Sequence, residues 1–159
     1  MTRDRHVPSA LIYACSLLAL LLSALPLPAS FAMLRPDFLL LTVIWFALTA
    51  PRAGGLAFAF AAGLLLDAFQ GLLLGEHAFS FVVIAYLVHR FHLQVRMFPQ
   101  AHQVLTVLAL LFFYQFILFW IDGVSGHPVT RWARWLPVLT GTLFWPLLDS
   151  VLSRFMARR

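Results

Sequence analysis

At 159 residues the chain has the length of one domain, yet 62% of it is hydrophobic and only 11% is charged, with a net charge of +5. A soluble domain, typically about a quarter charged, cannot hide that much apolar surface, so the composition excludes one and points to the membrane class. All eleven basic residues are arginines; they are scattered at the ends of apolar runs, as charges flank membrane spans, and do not form the clustered patch that nucleic acid requires.

Six apolar segments follow one another. The first, Ala10 to Leu27, comes after Arg3 and Arg5 and carries Cys15, the lone cysteine, so neither an internal disulfide nor a cysteine metal cluster is available. Ala29-Ser30-Phe31 imitates a small-residue cleavage site, but the run is long enough to span and more spans follow, so an uncleaved helix is expected. The second segment is Phe38 to Ala50, or from Pro36, since proline suits a helix's first position. The others are Leu56 to Leu74, Ala78 to Phe91, Val104 to Ile121 and Trp132 to Phe155. Crossing the hydrocarbon core takes roughly 20 residues, so segments two and four are short; a five-span variant with segment two re-entrant is the alternative to a six-helix bundle.

The connections are brief. Pro51 and the Gly54-Gly55 pair punctuate a tight turn. With the N-terminus inside, the cytoplasmic side holds Arg3, Arg5, Arg52, Arg90, Arg96, Arg154, Arg158 and Arg159, and the outer side Arg35, Arg131 and Arg134. That asymmetry fits the positive-inside rule with both termini cytoplasmic, and it places Trp132 and Trp135 at the outer interface.

The third segment raises a chemical question. Gly55, Ala59, Gly63, Asp67, Gly71 and Gly75 recur every four residues, so one continuous helix would align them on a narrow strip. Such a strip lets a second backbone approach, either within the fold or from a partner's helix. Asp67 interrupts it. A charged acid at mid-helix costs roughly 2.5–3.5 kcal/mol even on a lenient scale, so it must face the bundle, pair or be protonated. Asp149, in the last segment, has the same problem and Arg154 nearby as a partner. A relay between the two acids is the sharper alternative, weakened by the scarcity of other intramembrane polar groups.

No enzyme motif stands up. Gly123-Val124-Ser125-Gly126-His127 is similar to the serine motif of rhomboid proteases, but a Ser–His pair two residues apart in a loop reads as a turn. His89 and His92, with His102 nearby, have metal-compatible spacing but suit a hydrated helix end better. No catalytic residue, metal site or cofactor is expected.

Taken together, "LRPDFLLLTVIWFAL" (Leu34 to Leu48) and "GLLLDAFQGLLLGEHAFSFVVIAYL" (Gly63 to Leu87) resemble the rod-shape-determining MreD family. Arg35-Pro36-Asp37 match its second-span signature; Asp67, Gly71, Gly75 and His77 match its third-span motif; Trp145-Pro146 fit its last span. The resemblance implies an all-α polytopic protein of the bacterial inner membrane, similar to the membrane substrate-binding component of energy-coupling-factor transporters. It also implies a non-enzymatic scaffold of the wall-elongation complex, whose partners are an MreC-like single-span protein and, directly or indirectly, MreB, RodA and the elongation transpeptidase. A small-molecule or vitamin carrier subunit is the alternative on the same architecture.

Overall fold

The computed structural model describes residues 9–24, 28, 34–51, 54–71, 74–126 and 132–157. Six α-helices follow one another: α1 (Ser9–Ala24), α2 (Phe38–Thr49), α3 (Leu56–Gln70), α4 (Glu76–Met97), α5 (Gln100–Val124) and α6 (Leu136–Ala157), the last entered through a 3₁₀ turn, Trp132–Trp135.

The bundle is organised around α2. Every residue from Leu39 to Leu48 is buried, as expected of a helix that is apolar on all sides. It packs against α1, α3, α4 and α6. Its twelve residues rise only about 18 Å, well short of a hydrocarbon core of about 30 Å. A helix sheathed by its neighbours need not match the lipid. It also runs straight through: Asp37, before its start, lies in the field of His77, whereas Gly54, beyond its end, accepts from the His89 ring at the other end of α4.

The outer helices show the opposite pattern. Tyr13, Leu17 and Leu18 on α1, Phe112, Phe116 and Trp120 on α5, and Leu139, Leu143 and Leu147 on α6 are exposed. Apolar surface of that extent belongs against lipid or another protein. Three stretches are long and apolar enough to cross a membrane: Glu76–Met97, Gln100–Val124 and Trp132–Phe155. Buried hydroxyls satisfy themselves, as the absence of water in lipid demands. Thr42 donates to Phe38 O at 2.8 Å, Ser80 to Glu76 O at 2.8 Å and Thr142 to Val138 O at 2.7 Å.

Several boundaries differ from the apolar runs. Helix α4 is not short: it extends past Phe91 through His92, Gln94 and Arg96, polar residues that hydration of a helix end tolerates. Helix α5 begins at Gln100 rather than Val104. Helix α3 stops at Gln70, four residues early, because Gly71 turns left-handed. Residues 25–27 of the first expected segment, the imitation cleavage site at 29–31 and Arg3, Arg5, Arg52, Arg131, Arg158 and Arg159 lie outside the described residues.

Charged residues collect at two ends of the bundle. One, the acidic end, gathers Arg35, Asp37, Asp67, Glu76, Asp122 and Arg134; the other, the arginine end, has Arg90, Arg96 and Arg154.

Candidate functional site

Asp67 is the most deeply buried charged residue, with 0% exposure. It sits in the last turn of α3 and looks across the 71–75 turn at the start of α4. Its Oδ2 accepts the Gly75 N–H at 2.8 Å and the Ala78 N–H at 3.3 Å. Its Oδ1 accepts the His77 N–H at 3.0 Å and lies 2.7 Å from His77 Nδ1. A carboxylate only accepts, so Nδ1 carries the ring proton.

The answer to the buried acid is therefore a helix cap delivered from the preceding helix. The first N–H groups of α4 have no partners within their own helix, and the helix dipole favours negative charge there. Asp67 supplies that charge, and His77 adds a charge-assisted bond. Asp37, the residue before α2, makes no such side-chain cap.

The surroundings are also polar. Glu76, buried beside His77, lies in the field of Asp122 and Arg134, which form an ion pair joining the end of α5 to the 3₁₀ turn before α6. Arg35 and His77 are the electrostatic neighbours of Asp37. Pro36 is buried and its carbonyl accepts the Phe38 N–H at 2.9 Å, setting the entry into α2. Tyr114 of α5 packs its ring 6.3 Å from that of His77 and 5.9 Å from Phe81. Its hydroxyl is the buried side-chain polar atom without a hydrogen-bond partner among the described residues.

The glycines do not form the expected strip. Of Gly63, Gly71 and Gly75, only Gly63 makes a helix-packing contact: a Cβ there would sit 2.5 Å from Ala78 Cα and 2.7 Å from His77 C, so α3 and α4 touch backbone to backbone. Gly71 and Gly75 lie beyond the helix, with φ of +65° and +108°, and added Cβ atoms would meet nothing within 4 Å. Their spacing of four reflects two helix boundaries, the C-cap of α3 and the N-cap of α4. The strip as one continuous face is thus corrected, because left-handed backbone at Gly71 ends the helix.

Asp149 also departs from expectation. It accepts the Trp45 indole N–H at 2.9 Å, linking α6 to α2, and forms no ion pair with Arg154. Residues five apart on a helix point about 140° away from each other, which separates the two. Nothing brings Asp67 and Asp149 together: one caps α4 at the acidic end, the other bonds an indole facing the arginine end. Trp145, one turn before Asp149, is buried and lines a cavity with Trp45 and Asp149, and Pro146 beside it is exposed.

Ser125 is exposed at the C-cap of α5, followed by left-handed Gly126, so the glycine-serine motif is a helix-ending turn; His127 lies outside the described residues. His89 holds Gly54 O at 3.1 Å and His92 holds His89 O at 2.7 Å. The links Asp67–His77 and Trp45–Asp149 were missed from sequence, as was Tyr114. Only the ten-residue interval from an acid to a histidine across two glycines hinted at the first.

Residues 4–155 match the family described as rod shape-determining protein MreD. A rod shape-determining protein of Haemophilus influenzae is 26% identical over 129 residues, covering 81% of this chain and 80% of that protein. No solved structure matches the chain.

Proposed function

From the premise that this chain belongs to the rod shape-determining MreD family, we propose that it acts as a non-enzymatic scaffold of the cell-wall elongation complex in the bacterial inner membrane. Participation in rod-shape determination follows from the family; the scaffold role and its partners are the finer reading. An MreC-like single-span protein is the direct partner, with MreB, RodA and the elongation transpeptidase reached directly or through it. Both termini are cytoplasmic, with the arginine end inside.

The observation that carries this reading is how the buried polar groups are used. Asp67 and His77 satisfy each other and the start of α4, and Asp149 is held by Trp45. These bonds fix helices to one another. Exposed apolar faces on α1, α5 and α6 are what such a rigid body offers a partner in the bilayer, where close packing drives association.

The test is a mild-detergent pull-down of the tagged chain from its native membranes, followed by mass spectrometry. Recovery of a single-span MreC-like protein with elongation enzymes supports the scaffold. Recovery of ATPase subunits or a tightly held small molecule instead would replace it with the carrier reading.

A further inference from the structure

A second polar cavity lies away from the Asp67 site, at the arginine end. It encloses about 170 Å³ between α2, α4, α5 and α6. Two buried indoles, Trp45 and Trp145, line it together with Asp149, with Arg96, in the last turn of α4, and with Gln103, near the start of α5. Asp149 Oδ1 is oriented by Trp45 Nε1 at 2.9 Å. Gln103 donates its amide N–H to Phe98 O at 3.2 Å, which leaves its carbonyl oxygen as an acceptor. Arg96 and Asp149 line one cavity, yet neither has an ion-pair partner among the described residues, including each other.

We propose that this cavity holds the headgroup of a phosphoethanolamine-type lipid. Opposite charges that line one cavity without pairing suit a ligand carrying both signs. A primary ammonium has N–H donors for Asp149 and Gln103, and tryptophan faces attract cations. The Arg96 guanidinium at the exposed rim binds phosphate in the geometry it favours. A purely anionic headgroup leaves Asp149 without a counter-charge. A quaternary ammonium offers no N–H to the two acceptors. The position fits as well, since the walls come from the terminal turns of α4 and α5, at the depth where headgroups lie. Placing the lipid in the cytoplasmic leaflet rests on the proposed orientation; the headgroup chemistry does not.

The experiment is native mass spectrometry of the purified full-length chain in mild detergent. Phosphatidylethanolamine, phosphatidylglycerol and phosphatidylcholine with identical acyl chains are added at equal concentration. Phosphatidylethanolamine is expected to be retained about tenfold more than either of the others, the scale of one charge-assisted contact. Asp149→Asn keeps an acceptor for the Trp45 indole while removing the charge, and Arg96→Gln changes only an exposed side chain. Each should erase the preference. Equal retention of the three lipids overturns the proposal, and so does a preference that survives both substitutions. A pull-down that fails to recover elongation partners leaves this measurement unaffected, so the two readings fall separately.

Discussion

Asp67 Oδ1 receives His77 twice, from the backbone N–H at 3.0 Å and from ring Nδ1 at 2.7 Å. The second carboxylate oxygen takes the N–H groups of Gly75 and Ala78. One side chain thus closes the α3–α4 hairpin, the most extensively packed pair of helices in the bundle. Asp67→Leu removes the acceptor and strands buried donors. We expect a loss of several kcal/mol, since each buried donor left without its acceptor costs about 1–3 kcal/mol. Denaturant or detergent titration of the purified chain reads it, and an unchanged midpoint counts against the cap.

Gly63 and Gly71, each four residues from Asp67, should respond to alanine for different reasons. Gly63→Ala drives a methyl group into the Ala78 backbone, which must move, at about 1–3 kcal/mol or more. Gly71→Ala meets open space and bears only the strain of φ +65°, about 1–2 kcal/mol. Paired melting curves compare the two. A more severe effect at Gly71 would mean that its face contacts something outside the chain.

How much of this was legible in the sequence follows from what periodicity encodes. Six helical segments and their order could be read because apolar runs and their breaks are local. The strip from Gly55 to Gly75 was misread because a spacing of four is the same whether glycines line a helix or end one. Backbone handedness at Gly71 decides that, and it depends on the hairpin that Asp67 closes. Asp67 was recognisable as a residue that had to be satisfied; its partner was not, since His77 lies ten positions on, in the next helix. Asp149 was given the wrong partner for a similar reason: Arg154 is near in sequence, whereas Trp45 lies 104 residues away.

Trp45 and Asp149 form the long-range polar link between the central helix and α6. Trp45→Phe keeps the ring and deletes the donor. The expected loss is about 1.5–3 kcal/mol, the range for a hydrogen bond to a charged group. In the Asp149→Ala background the same substitution should cost much less, and a double-mutant cycle measures the difference. Additive effects would contradict the link.

Tyr114 makes the reverse case. Its hydroxyl is buried without a partner among the described residues, so Tyr114→Phe should leave stability unchanged or raise it by up to about 1–2 kcal/mol. Thermal unfolding of the two proteins side by side is sufficient. A clear loss of stability would show that the hydroxyl is bonded, through water or a ligand, at the acidic end.

The most direct test of the whole account joins the Asp67 clasp to cell shape. The chain is expressed in rod-shaped cells whose own copy has been depleted, and cell width and length are measured alongside the amount of protein in the membrane. The wild-type chain is expected to restore rods, and Asp67→Leu to leave cells round with less folded protein. Rods of normal width supported by Asp67→Leu, or round cells with the wild-type chain present at normal level, would contradict it.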